Sequence, residues 1–318
     1  MGAITINPDR PTGRVDRRIL GGFTEHLGRC IYGGIFDEGS PLATERGFRK
    51  DVIEAVRALR PPVLRWPGGN FASGYHWTDG IGPAGHRPRR MALAWHGEEP
   101  NVEWNVWYRE MDGARGLEER YDLGDALAVA CYVHAFVRHA GIVKMANLAQ
   151  LVNVIAPIVT GPDGLFLQSI YHPLRLFADH LGEVALDLAV ECDKHEFIPS
   201  GKPGRWPHRF ADRGPFPVLD AVATWSEAER TLMLSVINRS PDEEVAAEIR
   251  LGGSLPASRI LLEELNAADW HAVNSFDRPD AVSVTATAMD VPRGSWLHRF
   301  PAHSLTVFTL GESPRPVR

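Results

Sequence analysis

The sequence predicts an α/β region followed by an all-β region, and three observations carry that prediction. Up to about residue 150, apolar runs of strand length alternate with amphipathic helical patterns. Helical periodicity disappears after about residue 175. From there the chain shows short apolar–polar alternation broken by turn residues.

Residues 3 to 7 alternate weakly and read as a short strand. Arg18 to Phe23 reads as a strand running into a Gly21-Gly22 turn. A helix is expected over 47 to 60, because Phe48, Val52, Ile53, Val56 and Leu59 share one helical face and Pro61-Pro62 stops it. Val63, Leu64 and Trp66 form the next strand, closed by Pro67-Gly68-Gly69, which completes a βα-type unit. Residues 70 to 100 are irregular and rich in Gly, Pro, His and Trp; a loop of that length is often functional. A second helix is expected over 123 to 139, ended by Gly141, with Cys131 as a small core residue. Ile142 to Leu148 reads as a buried strand that delivers Gln150 and Asn153. Later strands are expected around 232–236, 247–251, 282–284 and 305–309, separated by turns such as Ser240-Pro241 and Gly252-Gly253. Together they read as an antiparallel β-sandwich.

Composition narrows the function. The chain has 318 residues, 44% hydrophobic and 23% charged, the profile of a globular protein with material for about two domains. A formal net charge of −6 argues against nucleic acid as the main partner, and Arg87, Arg89 and Arg90 read as a solvated loop. No secretory signal or membrane-length apolar stretch is evident, so no membrane partner is expected. Three widely spaced cysteines, Cys30, Cys131 and Cys192, give no disulfide framework and point to a reducing cytoplasm. His26 and Cys30 stand four apart without a third ligand, so no metal centre or other cofactor is expected.

Four polar clusters carry the chemistry. They are Gly22–Arg29, Leu64–Phe71, Val102–Tyr108 and Ala149–Asn153, and all but the third follow a buried apolar run. In a (β/α)₈ barrel, active-site groups come from the C-terminal ends of several strands. Carboxylates and amides hydrogen-bond sugar hydroxyls, and aromatic faces cover the ring. Singly, each residue also has a structural reading: Glu25 as a loop acid, Asn70 as a turn residue, Gln150 as a satisfied buried amide, Glu103 as a surface acid between tryptophans. Their combination is more specific.

The runs GGFTEHLGRCIYGGI (21–35), LRWPGGNFASGYHWTDGIGP (64–83), EWNVWY (103–108) and AQLVNVIAPI (149–158) closely resemble the α-L-arabinofuranosidases of glycoside hydrolase family 51. The resemblance is strong over residues 1 to about 101 and 103 to about 175, and looser beyond. It implies exo-acting, retaining removal of terminal α-L-arabinofuranosyl groups from oligo- and polysaccharides by two glutamates, without a metal. By motif position, Glu103 corresponds to the nucleophile, and Glu25, Asn70 and Gln150 to residues that hydrogen-bond the arabinose ring. Trp95 is expected to wall the pocket, with Glu99 and Asn101 in the same loop. Family members often form oligomers, so a homo-oligomer is one expected assembly.

The chain departs from the family in two respects. The acid/base glutamate of the family follows an asparagine, and none of the asparagines here precedes a glutamate. A (β/α)₈ barrel takes about 250 residues, yet only three convincing strands lie between 18 and 150. The expectation is an incomplete (β/α)₈ TIM barrel over 18–175 with an internal deletion near 101–103. Residues 1–17 would supply a strand to the C-terminal β-sandwich of 176–318.

Overall fold

The computed structural model describes residues 2–69, 71–72, 78, 83, 86, 117–195, 215–253, 259–290 and 294–312. The chain opens with β1 (Gly2–Arg14), a 3-10 turn (Arg17–Leu20) and β2 (Gly21–Phe23), followed by α1 (Lys50–Leu59) and β3 (Leu64–Arg65). After the undescribed stretch come α2 (Leu123–Arg138), β4 (Asn147–Ala149), the hairpin β5 (Ile158–Thr160) and β6 (Leu165–Leu167), and α3 (Tyr171–His180). The remainder is all β: β7 (Val184–Glu191), β8 (Lys194–His195), β9 (Phe216–Pro217), β10 (Leu219–Ser226), β11 (Thr231–Asn238), β12 (Val245–Leu251), β13 (Arg259–Asn266), β14 (Ser283–Asp290), β15 (Ser295–Phe300) and β16 (Ser304–Gly311).

The first region is an incomplete barrel. Among the described residues its three strands are parallel and ordered β3-β2-β4, so the last of them in sequence lies beside the first, which is how the two ends of a barrel meet. Gly22 is needed at that seam, since a Cβ there would lie 2.6 Å from Leu151 Cδ1 and 2.9 Å from Leu64 Cδ2. Val52 and Leu59 of α1, Val129 of α2, Leu148 of β4 and Leu174 of α3 share one apolar cluster behind these strands. Among the described residues, no further strand pairs with the outer edges of β3 or β4. Leu64 and Trp66 at one edge are about half exposed.

The second region is a β-sandwich built from one long sheet ordered β14-β13-β16-β11-β10-β7-β1-β12-β15. The sheet folds over on itself. Trp296 and Phe300 of the last strand, β15, have ring centroids 6.2 Å from Phe308 of β16, which lies near the other end. The strand β1 sits inside this sheet, antiparallel to β7 and parallel to β12. Strand β11 is buried along its whole length. Leu232, Leu234 and Val236 enter the sandwich core, while Met233 and Ile237 face a second core shared with α2 and α3. A strand covered on both faces reads as a continuous apolar run rather than a clean alternation.

Two buried polar links cross the junction. His134 of α2 has Nδ1 3.1 Å from Asp220 Oδ2 and Nε2 2.8 Å from Ser235 Oγ. Arg138, one turn on, reaches Asp220 Oδ1 at 2.9 Å. From α3, His180 Nε2 lies 2.5 Å from Glu263 Oε2, and its Nδ1 lies 3.1 Å from Thr309 Oγ1. The loop between β13 and β14 caps α2: Trp270 and Ala272 carbonyls accept from the Gly124 and Leu123 N–H groups, two of the donors that a helix start leaves unpaired. Asp122 and Asp125 complete a reciprocal capping box.

Several expectations change. Residues 142–148 do not form a strand; only Asn147–Ala149 does. The chain turns directly after α2, with Ile142 N–H bonded to the His139 carbonyl, and this leaves Ile142 83% and Met145 49% exposed. Arg17–Leu20 forms a 3-10 turn rather than strand, because the Asp16 side chain accepts from Arg18 N–H and caps it. Helical structure reaches 180 through α3, whose Pro173 stands in the first turn, where proline is tolerated.

Candidate functional site

Glu25 lies two residues past the C-terminal end of β2, and Gln150 directly follows β4, so the parallel pairing of these strands sets the two side chains side by side. Both are buried, at 3% and 1% exposure. The Glu25 N–H donates to Gln150 Oε1 at 3.2 Å, and Gln150 Nε2 lies 3.5 Å from Glu25 Oε2. The other carboxylate oxygen, Oε1, accepts from the Phe71 N–H at 2.9 Å. The third strand contributes through its Pro67-Gly68-Gly69 turn. Gly68 has φ +137°, and a Cβ on it would lie 2.6 Å from Glu25 Cβ, so only glycine lets this turn lie against the carboxylate. The result is an acid and an amide with fixed orientations at the C-terminal face of the barrel strands, where barrel sites are built.

Neighbouring residues hold this pair in place. Arg29 binds Glu118 through Nε at 2.7 Å and Nη2 at 3.0 Å, tying the loop after β2 to the approach to α2. Asn153 is fully buried; its Nδ2 donates to the Arg29 carbonyl at 2.9 Å and its Oδ1 accepts from Thr160 N–H at 2.8 Å. Its side-chain polar atoms thus tie the loop after β2 to β5. The Arg65 guanidinium sits 4.6 Å over the Phe23 ring, a cation–π contact at the floor of the site. Burial pushes the Cys30 thiol up to about 12, so it stays protonated and inert. Burial also lowers the His26 pKa, which favours the neutral imidazole. Among the described residues, no three His, Cys, Asp or Glu side chains gather to hold an ion.

Of the sequence-derived site residues, the structure brings Glu25 and Gln150 together. Asn70, Trp95, Glu99, Asn101 and Glu103 lie outside the described residues. Sequence reasoning did not single out the Phe71 N–H or Gly68 as supports of Glu25. The signal was present in the Pro-Gly-Gly turn, since consecutive glycines allow the close approach of backbone to a neighbouring group.

Comparison with known proteins agrees with this architecture. Residues 103–304 match the model of the α-L-arabinofuranosidase C-terminal domain. The chain is similar to α-L-arabinofuranosidase C of Emericella nidulans, 57% identical over 502 aligned residues, with 96% of each chain covered. That alignment is far longer than the 318 residues available, so it closes only over a long internal gap. Over 134 residues, 38% of this chain and 26% of the relative, it is 46% identical to an exo-α-(1→6)-L-arabinofuranosidase of Bifidobacterium longum. Among solved structures, the α-L-arabinofuranosidase of Thermotoga maritima in its arabinose complex superposes with a TM-score of 0.85 at 26% identity, covering 97% of this chain and 99% of that one. Among the described residues, no helix is long and apolar enough to cross a membrane.

Proposed function

Because the chain belongs to the α-L-arabinofuranosidases of glycoside hydrolase family 51, we propose that it recognises terminal non-reducing α-L-arabinofuranosyl groups and cleaves them by an impaired retaining reaction. The preformed Glu25–Gln150 pair is the observation that carries this reading. An acid and an amide set side by side supply the kinds of acceptor and donor that ring hydroxyls need. Asn70 and Trp95 complete the pocket by motif position, and Glu103 is the nucleophile. The barrel portion, 18–175, carries the site, and the sandwich of 176–318 supports it from behind.

The chemistry follows from what is missing. A retaining glycosidase places two carboxyl groups about 5–5.5 Å apart. In the first step, Glu103 attacks the anomeric carbon while the bond to the leaving oxygen breaks. The second carboxyl would protonate that oxygen and then activate water to release the sugar. With no Asn-Glu motif in the chain, both services are absent, a loss of about 10²–10⁴-fold. A sugar leaving group needs the proton, whereas an activated phenolate does not. The glycosyl-enzyme also loses its water-activating base, so the covalent ester on Glu103 accumulates.

Incubation with an aryl α-L-arabinofuranoside carrying a very good leaving group tests this directly. The expected result is a pentosyl adduct on Glu103 by mass spectrometry, absent in Glu103→Gln. A folded protein with no adduct would overturn the catalytic reading. A second reading, a non-catalytic sugar-binding remnant, is favoured by the small count of barrel strands, three among the described residues. It predicts arabinose binding with no adduct.

A further inference from the structure

Glu25 and Gln150 lie side by side, yet the contacts between them are long. The Glu25 N–H reaches Gln150 Oε1 at 3.2 Å and Gln150 Nε2 stands 3.5 Å from Glu25 Oε2, against about 2.9 Å for an ordinary N–H···O bond. Their spacing is therefore set by the loops that carry them, and both loops are tied to two adjacent residues, Leu117 and Glu118. The loop after β2 is wound by the Leu27 N–H bonded to the Glu25 carbonyl at 2.8 Å and the Cys30 N–H bonded to the Leu27 carbonyl at 3.0 Å. Arg29, at the far end of those turns, grips the Glu118 carboxylate at two points, 2.7 and 3.0 Å. In the loop after β4, the Gln150 N–H donates to the Ile155 carbonyl at 3.3 Å, and the Ile155 N–H donates to the Leu117 carbonyl at 2.8 Å. Leu117 and Ile155 have φ +59° and +41°, a left-handed backbone that side chains of their size avoid. Strain of this kind persists where surrounding contacts fix it, and it gathers at functional sites.

We propose that Glu118 is a positioning residue: through Arg29 it holds the Glu25 loop at the spacing from Gln150 that the ring hydroxyls of a terminal sugar require, a role that rests on the function proposed above. A two-point bond between guanidinium and carboxylate fixes direction as well as distance, which a single neutral hydrogen bond does not. The Glu118 side chain is 7% exposed, so water competes little for its carboxylate. The Gln150 loop is held to the same segment by backbone bonds alone, so a change in the Glu118 side chain acts on the Glu25 side of the pair. Asn153 keeps its own bond to the Arg29 carbonyl, so the loop stays docked and only the aim of its side chains is released. The geometry of the pair, as distinct from the stability of the fold, then depends on one carboxylate.

The test is calorimetric titration of the full chain with L-arabinose, alongside thermal unfolding. Glu118→Gln keeps the size of the side chain and leaves a partly exposed Arg29 that water can solvate; it should weaken arabinose binding about five- to tenfold. Arg29→Gln should do the same, and the double variant should bind no more weakly than the weaker single variant, because both act through one contact. Gly182→Ala crowds the joint between α3 and β7, where a Cβ would press on the backbone of Trp225 and Ser226, and it should bind arabinose as the wild type does. Wild-type arabinose affinity in Glu118→Gln overturns the proposal, whatever its melting temperature, as does an equal loss of affinity in Gly182→Ala. Should Glu118→Gln fail to fold, Arg29→Lys carries the test, since it keeps the charge and loses the fork; wild-type affinity there also overturns the proposal. If the wild type itself binds no arabinose, the function proposed above fails and the positioning role with it.

Discussion

The two halves of this molecule differ in how they are held together. The sandwich relies on long strands: β10, β11, β13, β14 and β16 each run eight residues, and β11 and β16 are buried throughout. The incomplete barrel has strands of two or three residues, with no further strand paired to β3 or β4 among the described residues, and its chemistry-bearing loops depend on specific hydrogen bonds and the Arg29–Glu118 ion pair. The lesson is that the loss of the central barrel need not unfold what remains, provided the surviving helices have another surface to bury. Here α2 and α3 share an apolar core with the sandwich, so the barrel half borrows its stability from the complete one.

The sharpest way to break that comparison is to weaken the complete half. Phe308→Ala removes a fully buried ring that meets Trp296, His298 and Phe300. It should cost about 3–5 kcal/mol. If the dependence is real, urea unfolding followed by barrel-side and sandwich-side probes should shift together; a shift confined to the sandwich would show the halves to be independent.

A smaller effect is expected at the joint. Gly182 connects α3 to β7, its N–H donates to Thr224 Oγ1 at 2.9 Å, and a Cβ there would come within 2.6 Å of the Ser226 nitrogen, a backbone atom that cannot rotate away. Gly182→Ala should destabilise by roughly 1–3 kcal/mol through overpacking. Thermal unfolding would check it, and a neutral result would mean that the joint yields.

The mildest probe is pH. Burial pushes the His134 pKa down, against the opposing pull of Asp220. Burial alone would raise the Asp220 carboxyl, but His134 and Arg138 outweigh it and hold the group well below the usual carboxylate range. Arg239 adds a further positive charge facing His134. The unfolded chain therefore takes up the His134 proton near pH 6.5 while the folded chain does not. The His134 contribution is full above that pH and falls as pH drops toward the lower folded value, by up to about 1.4 kcal/mol per unit. Asp220 acts in the same direction at lower pH, its contribution lost as pH falls through its depressed folded value. Stability measured from pH 7.5 to 5 should decline in the wild type and decline less steeply in His134→Gln. Equal slopes would remove His134 from the junction's pH response.

The sequence made parts of this legible for physical reasons. Val52, Val56 and Leu59 gave α1 because a helix buried on one face shows its period. Strands β11 and β16 were read from the alternation at Leu232-Leu234-Val236 and Leu305-Val307-Thr309, although both faces of each strand are covered. The helix α3 was missed because Pro173 interrupts its pattern and its apolar positions face two neighbours, α2 and the sandwich. Glu25 and Gln150 stood out as polar residues directly after apolar runs, but their contact depends on parallel pairing across 125 positions, which no local pattern encodes. The Arg29–Glu118 and His134–Asp220 links were invisible for the same reason.

The position of β1 bears on how such a chain matures. It pairs with β7 and, in parallel, with β12, whose residues begin at Val245. During synthesis this strand emerges long before either partner, and it must wait with both edges open. The sandwich is thus specified by sequence far apart in the chain, and among the described residues nothing between β2 and α3 supplies one of its strands. The shorter the stretch between β1 and its partners, the less time the strand spends unpaired while the chain is made.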